Sequence, residues 1–548
     1  MLHHTAATVF NQIFPAFRSA SEQAVVRTDS APAEIPFRTT TAVNRTLLRC
    51  GLTLAVLLAL AGTANAGSLY LAKLSGANEN PPTSSTATGL GVLILNDAET
   101  QATITATHNI SIPVTGGHIH RGAANVNGPV IFPFPAPTSP VGPLTWAIPA
   151  ADVANLKALG LYMNFHTAVN PGGAIRAQLT RAWLAPAAMT MRQTRVANAL
   201  DVSAGFDADL DQVLIQTNLA AADSQAQTLD ELSARTVYSP ARQEIEGMTS
   251  LTDTLFAYAD DARLNPGPAA ARFSVLVRGG RDFGTRSNSD NQIGSRISRP
   301  WAVAGVDYRL SEASRGGLAA GYASGKDTFN AGAGATTTKT TALQAYFSTK
   351  LGDSGAALDG AVGYGWAKVD STRNLPSLGR MATASPDGTV WSAALKASKA
   401  ITLHNQATIV PYALIDTQEA KIDAYNEGGA GAAGLMVPKQ ATRNSALEGG
   451  ASLMQPIKVE SGTLTARLQA GWNYLFENGA GTLSTRLIGS PVAFDTPIDG
   501  PGKSSAHIEA SLTATTASGL LATLGYRGML GGNGRTTHTI EARIVFRM

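Results

Sequence analysis

Residues 464–474 (LTARLQAGWNY) alternate between apolar side chains and polar or small ones. Successive side chains of a β-strand point to opposite faces of the sheet. A strand over this stretch therefore has an apolar face from Leu464 to Tyr474 and a polar face that includes Arg467. The same alternation ends the chain, where Phe546 and Met548 share the apolar face.

Twelve segments with this alternation occur in the C-terminal half of the chain. They begin near Phe273, Trp301, Gly316, Thr341, Ala356, Val390, Thr408, Ser445, Leu464, Ala506, Leu520 and Thr537. The residues between them are rich in Gly, Asn, Asp, Ser and Pro, which is typical of turns. A soluble β-sandwich would also alternate. An even number of strands of about 9–11 residues, joined by alternately short and long connections, favours a transmembrane antiparallel β-barrel.

The composition of the 548 residues limits the possible classes of protein. Hydrophobic residues make up 44% of the chain, and the formal net charge is only +3. A disordered chain has few apolar residues and a high net charge, so wholesale disorder is excluded. A net charge this small also provides no electrostatic attraction toward nucleic acid. The longest apolar run, residues 52–61, is too short for a membrane-spanning helix.

That apolar run has the flanks of a secretory signal. Arg45 and Arg49 precede it, and an Ala-Asn-Ala sequence that ends at Ala66 follows it. A basic flank, a short apolar core and a small-residue exit predict a signal peptide over residues 1–66, cleaved after Ala66. A buried core helix is the alternative interpretation. The only cysteine, Cys50, lies in this leader, so the mature chain would have no disulfide or catalytic thiol.

Residues 183–270 change to a helical pattern. Apolar side chains such as Ile245, Met248 and Leu255 recur at spacings of three and four residues. We expect a helical linker whose last helix covers about residues 241–263. A small independent helical bundle would have the same spacing.

Residues 67–182 combine short alternating strands with Pro/Gly turns, which predicts a small β-sandwich. His118 and His120 are two residues apart, so on a strand they project from the same face. His166 stands two residues after Asn164 in a second strand-like stretch. Several polar side chains could therefore meet on one face of this domain.

The three histidines are candidate metal ligands. Neutral imidazole is a good ligand for Zn or Cu, and three histidines with an open fourth position form a plausible site. Asn164 and Arg176 are candidate supporting residues of a site at His118, His120 and His166. Alternatively, the histidines hydrogen-bond loops together and Arg176 binds backbone carbonyls.

Residues 271–548 resemble the autotransporter β-domain family. The matching motifs are residues 299–302 (RPWA), 305–308 (GVDY), 362–365 (VGYG), 411–413 (PYA) and 471–474 (GWNY). The resemblance implies a twelve-stranded barrel in the outer membrane of a Gram-negative bacterium, type V secretion, and a linker helix inside the barrel. It also implies membrane lipid, the barrel-assembly machinery and periplasmic chaperones as partners. The family usually ends in an aromatic residue, whereas this chain ends in Met548 with Phe546 nearby.

Residues 67–182 resemble the CHRD domain family over nearly all of their length. The matching motifs are residues 74–79 (LSGANE), 118–122 (HIHRG), 127–130 (NGPV), 164–167 (NFHT) and 171–176 (PGGAIR). The family has no settled enzymatic activity to carry over, and Ala174 stands where its members often have Glu. The His-x-His pair is similar to the copper-ligand strand of Cu/Zn superoxide dismutases, but their zinc loop has no counterpart here.

The sequence thus predicts an all-β dominated chain with four segments. They are an extended signal peptide (1–66), a CHRD-like β-sandwich passenger (67–182), a helical linker with a lumen helix (183–270) and an autotransporter β-barrel (271–548). We expect the barrel to lie in the outer membrane and to export the passenger to the cell surface as a binding or structural module with an unknown ligand. Two alternatives stay open: a His-ligated metalloenzyme, and a periplasm-facing module on an outer-membrane anchor.

Overall fold

The structure is a computed structural model that describes residues 67–188, 190–264, 271–404, 406–460, 462–516, 518–532 and 534–548. The expected signal peptide and its cleavage site at Ala66 lie outside the described residues. Three parts follow one another along the described chain: an N-terminal sheet domain, a helical connector and a barrel.

The N-terminal domain contains nine strands and one α-helix. The strands are β1 (Ser68–Ser75), β2 (Thr88–Leu95), β3 (Ala102–His108), β4 (Val114–Arg121), β5 (Val130–Pro133), β6 (Val141–Trp146), β7 (Leu161–Thr167), β8 (Ile175–Gln178) and β9 (Thr180–Arg181), with α1 (Ala150–Lys157) before β7. They form one continuous sheet in the order β5-β4-β7-β8-β1-β2-β3-β6, with β9 beside β1. Side chains from most of these strands meet in a single core, including Leu93, Ile119 and Phe165, so the sheet curves around it.

The connector consists of three helices, followed by a longer fourth helix. These are α2 (Met191–Asp201), α3 (Ala208–Leu219), α4 (Ala222–Leu232) and α5 (Ser239–Leu264). Thr190 begins α2 with a capping box, and the side chain of Asp207 caps α3 by accepting from the Asp209 and Leu210 amides. None of the helices in the described part of the chain is both long enough and apolar enough to cross a membrane.

Twelve long antiparallel strands form a closed barrel. They are β10 (Phe273–Arg286), β11 (Ser295–Arg309), β12 (Ser314–Phe329), β13 (Gly334–Lys350), β14 (Ala356–Leu375), β16 (Asp387–Lys399), β18 (Thr408–Ile422), β21 (Gln440–Val459), β22 (Gly462–Asn478), β25 (Ser504–Thr516), β26 (Leu521–Gly531) and β27 (Arg535–Arg547). Pairing of β10 with β27 closes the sheet, and the predicted twelve-stranded barrel is confirmed. Its strands range from 11 residues in β26, which is within the expected length, to 20 in β14, which is well beyond it.

The alternation of the sequence places apolar side chains outside the barrel and charged side chains inside. Exposed outward residues include Leu318, Leu343, Val362, Leu447, Leu468, Ile508, Leu524 and Ile540. Inward residues such as Arg278, Asp282 and Arg299 are buried. This distribution matches a wall that faces lipid and encloses a polar interior.

Helix α5 fills much of that interior. Its apolar side, which includes Met248 and Leu251, packs against inward side chains of the wall. Its acidic side carries Glu246, Asp253 and Asp260, each seven residues from the next. Glu246 contacts Arg286 and Arg299 at 2.5 and 2.6 Å, Asp253 contacts Arg527 at 2.5 Å, and Asp260 contacts Lys396 at 2.6 Å. Burial of these charges requires such paired partners.

The two ends of the barrel differ. The first barrel strand begins at Phe273 and the last one ends at Arg547, at the same end of the barrel. The three longest connections lie at the opposite end and are residues 376–386, 423–439 and 479–503. They contain the short strands β15 (Arg380–Ala384), β19 (Tyr425–Asn426), β20 (Leu435–Val437), β23 (Gly481–Leu487) and β24 (Ala493–Ile498), while β17 (Ile401–Thr402) lies at the other end. Strands β19-β20-β23-β24 form a separate sheet, which we call the rim sheet.

Candidate metal site

Pairing of β4 with β7 brings the three candidate histidines together. The strands are antiparallel, with His118 opposite Asn164 and Gly116 opposite His166. The three imidazoles therefore lie on one face of the sheet, and one ligand nitrogen from each lies within 4.8 Å of the others. His120 is buried, and His118 and His166 are half-buried.

Hydrogen bonds fix the orientation of two of the rings. The Nδ1 atom of His120 donates to the Gly128 carbonyl at 2.9 Å, and Nδ1 of His166 donates to the Pro171 carbonyl at 2.9 Å. A neutral imidazole that donates from Nδ1 carries its free lone pair on Nε2. The fold therefore holds the His120 ring in the tautomer that leaves Nε2 available as a metal ligand, whereas Nε2 of His166 faces the Asn164 Oδ1 atom.

Two of the imidazole nitrogens have no hydrogen-bond partner among the described residues. They are Nε2 of His120 and Nδ1 of His118, and both atoms are buried. Nε2 of His166 lies 3.0 Å from the Asn164 side chain. A buried polar atom without a partner is costly, and the cost disappears when the nitrogen binds a cation.

Two of the histidines, His118 and His120, are held neutral, which is the form that binds metals. Burial, followed by repulsion from His166 and His120, lowers the pKa of His118 to about 4. Burial also lowers the pKa of His120. Because binding then releases no proton from either ring at neutral pH, both are ready as ligands.

The spacing of the three rings suits a single ion after a small adjustment. Ring centres are 5.0 Å apart for His118 and His166, 5.5 Å for His118 and His120, and 6.2 Å for His120 and His166. Zn–N bonds of about 2.0–2.1 Å in a tetrahedron place ligand nitrogens roughly 3.3 Å apart. The ligand nitrogens now lie within 4.8 Å of one another. Side-chain rotation that brings them to this shorter separation would therefore complete the site.

Arg176 and Tyr162 support the site from beside it. The Arg176 guanidinium lies 3.4 Å from the centre of the Tyr162 ring, which in turn stacks on His120 with centres 4.7 Å apart. Arg176 also donates to the Ala123 and Val126 carbonyls at 3.1 and 2.9 Å. It thereby holds the loop that supplies the Gly128 carbonyl to His120. Arg176 thus binds backbone carbonyls, and its support of a metal site stays a prediction.

Glu79 is a residue of this domain to which the sequence assigned no role. Its side chain is buried, and its Oε1 atom has no hydrogen-bond partner among the described residues. Burial raises the pKa of Glu79 to about 7, although the charge of Arg176 opposes the shift. The carboxylate occupies the space that a Cβ atom would need at Gly173. Only its membership of the 74–79 motif singles it out in the sequence.

His108, Phe546 and Met548 are not among the residues that converge at this site. His108 uses Nε2 on the Pro137 carbonyl at 2.9 Å and accepts from the Ile110 amide, so it organises a turn. Phe546 and Met548 are exposed on the outside of the barrel. The Met548 amide donates to the Phe273 carbonyl at 2.8 Å, and this bond fastens the last strand to the first.

The closed barrel, with its apolar exterior, charged interior and internal helix, defines an outer-membrane protein. Residues 275–527 match the family described as the autotransporter beta-domain, and residues 70–179 match the CHRD domain. The barrel is therefore an autotransporter beta-domain, and a CHRD domain precedes it along the chain.

Several solved structures are similar to the chain. The translocator domain of the autotransporter NalP from Neisseria meningitidis is 14% identical, with a TM-score of 0.46, over 57% of this chain and 99% of that one. The beta domain of the Bordetella autotransporter Brka is 14% identical, with a TM-score of 0.40, over 50% and 100%. The transport unit of the autotransporter AIDA-I from Escherichia coli is 14% identical, with a TM-score of 0.36, over 52% and 96%. No curated protein matches the chain.

Proposed function

We propose that the barrel exports the CHRD domain and holds it at the cell surface, where it acts as a metal-binding module. The position of the domain supports the first part, because the connector holds it at the end of the barrel that carries the longest connections. Long connections of outer-membrane barrels are extracellular. The remaining alternative, a periplasm-facing domain, would require the opposite orientation.

One observation carries the metal-binding part of the proposal. His118, His120 and His166 converge with ligand atoms within 4.8 Å, and buried nitrogens of His118 and His120 have no partner among the described residues. The chemistry of three imidazole ligands fits Zn or Cu. The Gly128 and Pro171 carbonyls orient the His120 and His166 rings as outer-shell partners do in metal sites.

Metal content of the purified full-length chain in detergent tests the site. After chelator treatment, titration with Zn²⁺ or Cu²⁺ should load about one ion per chain, and His118→Ala and His166→Ala should each abolish it. His404→Ala, in a turn at the other end of the barrel, is the matched control. A folded wild-type chain that takes up no ion would show that the histidines are architectural. Redox turnover of the loaded chain, lost in His118→Ala, would instead favour a metalloenzyme.

Protease treatment of intact cells tests the exposed location. Cleavage of the CHRD domain without cell lysis is expected, and a periplasmic reporter protein serves as the control for leakage. Full protection of the CHRD domain would favour the periplasm-facing alternative.

We also propose that periplasmic chaperones deliver the chain to the barrel-assembly machinery, which would read the last strand. The exposed side chains of Phe546 and Met548, at the end of a strand that closes the barrel, support this. Deletion of residues 546–548 should reduce the amount of folded barrel in the membrane, measured by its heat-dependent shift on SDS gels. An unchanged amount would contradict this role.

A further inference from the structure

One hydrophobic core joins the CHRD domain, the connector and the rim of the barrel. Its buried members come from β1, α2, α3 and α4 and from the long connections of the barrel. They include Leu69, Leu71, Leu184, Val196, Leu200, Leu210, Val213, Leu214, Leu229, Ala432, Leu435, Leu483, Leu487 and Phe494. Leu90, Val92 and Ile94 of β2 pack against the same core. The outer face of β1 and β2 is therefore covered by the connector.

Asp209 on α3 fastens the connector to the barrel. Its carboxylate accepts two hydrogen bonds from Arg380, at 2.8 and 2.5 Å, and one from the Ala432 amide at 2.8 Å. A bidentate Arg–carboxylate pair fixes geometry as well as charge. Gly431 has φ +60 and lies so close to the Asp209 carboxylate that a Cβ atom would collide with it. The connection between β18 and β21 is thus shaped around this residue.

Two more polar contacts join the N-terminal half of the connector to the barrel. The Ser203 hydroxyl lies 2.7 Å from the Ser490 hydroxyl, and Arg195 donates to the Asp495 carbonyl at 3.1 Å. Both barrel residues lie in the connection between β22 and β25. The barrel therefore holds this half of the connector through three separate connections.

We propose that the rim sheet and its flanking connections are a docking surface for residues 67–219, the CHRD domain with α2 and α3. The CHRD domain consequently stays on the barrel after the chain is cut between α3 and α4, and the protein displays its passenger permanently rather than releasing it. This inference rests on the proposed function, because it takes the rim sheet to face the cell exterior. The shared apolar core supplies the adhesion, and the Asp209 contacts fix the register.

A protease site inserted between Ala221 and Ala222 tests the proposal, because both residues are exposed at the junction of α3 and α4. Intact cells would be labelled with an antibody to the CHRD domain before and after complete cutting. We expect the label to remain on the cells. Appearance of the fragment in the medium would overturn the proposal.

Substitutions on α3 test the docking of the CHRD domain separately from its export. Leu214→Asp, in the shared core, and the milder Asp209→Asn should allow the fragment to leave after cutting. Gln216→Asp, on the exposed side of α3, is the matched control and should retain it. If the cut fragments of all variants stay on the barrel as in the wild type, the shared core is not what holds the domain.

The same cut in purified full-length protein in detergent tests docking independently of export. The fragment of residues 67–221 should co-elute with the barrel in size-exclusion chromatography. Co-elution with no label on intact cells would mean that the exposed location is wrong and the docking correct. Separation on the column would overturn the docking itself.

Discussion

Gly173 stands beside a buried carboxylate, and its backbone has φ +139. A side chain at this position is strained and would also collide with the Glu79 oxygens. We therefore expect Gly173→Ala to destabilise the CHRD domain by more than about 1 kcal/mol. Thermal unfolding of the purified chain, followed by the fluorescence of Trp146, measures the change.

The neighbouring glycine provides the control for that substitution. Gly172 has an ordinary φ and nothing within 4 Å of the position of a Cβ atom. Gly172→Ala should leave the unfolding temperature nearly unchanged. Equal losses in the two variants would show that the carboxylate of Glu79 does not occupy the space described.

The pH dependence of stability should report the burial of Glu79. Its pKa is raised to about 7 in the fold from 4.5. The folded state therefore holds the proton more tightly, so its stability falls as pH rises from 4.5 through 7. Relative to Glu79→Gln, the wild-type chain should lose stability over this range, as denaturant titrations at several pH values would measure.

Comparison with the glutamine variant isolates this single group. The low pKa of His118 gives the opposite trend, since its protonation below about pH 6.5 favours the unfolded state. That contribution is present in both proteins and cancels in their difference. A difference that does not vary with pH would contradict the inferred pKa of Glu79.

Among the elements, α5 should depend on its acidic side. Glu246 is buried between Arg286 and Arg299, with Arg535 at 3.2 Å. Removal of one partner from a buried charge cluster leaves the others uncompensated and costs about 3–5 kcal/mol. Glu246→Gln should therefore lower the temperature at which the barrel loses its compact form on SDS gels.

Glu312→Gln is the control for α5, because Glu312 is exposed in a short connection of the same barrel. This substitution should not change the temperature at which the barrel loses its compact form on SDS gels. If Glu246→Gln behaves in the same way, the ion pairs of α5 contribute nothing net to the stability of the barrel.

The elements also show which parts of the fold the sequence patterns predict and which parts they do not. Alternation marked all twelve long strands, because each has one face toward lipid and one toward the interior. The rim sheet was not predicted from the sequence, because strands such as Tyr425–Asn426 and Leu435–Val437 are too short to show an alternating pattern. The Gly/Ala content of residues 428–434 is typical of a flexible loop, yet Ala430, Ala432 and Ala433 are buried against the connector. Contacts made by distant segments determine these features.

The candidate site was predictable in part for the same reason. Spacing placed His118 and His120 on one face of a strand, and the pairing of β4 with β7 added His166. The orientations of the His120 and His166 rings depend on the carbonyls of Gly128 and Pro171, which come from loops. No local pattern encodes such contacts, so tautomers and buried partners could be derived only from the fold.

At the scale of the whole molecule, two hydrophobic cores lie beyond the internal core of the CHRD domain. One joins the CHRD domain to the connector and the rim, and the other lies between α5 and the barrel wall. Tyr425 and Ile498 pack against both. Because the second core contains no residue of the CHRD domain, the barrel should fold without its passenger.

Deletion of residues 67–188 tests this independence. The shortened barrel should keep the wild-type heat-dependent shift on SDS gels, because its own core and the ion pairs of α5 are intact. The connector, in contrast, should become sensitive to protease between residues 190 and 238, because Leu69 and Leu71 no longer cover α2 and α3. Loss of the folded barrel form in the deletion variant would show instead that the two cores fold as one cooperative unit, with the passenger required for assembly.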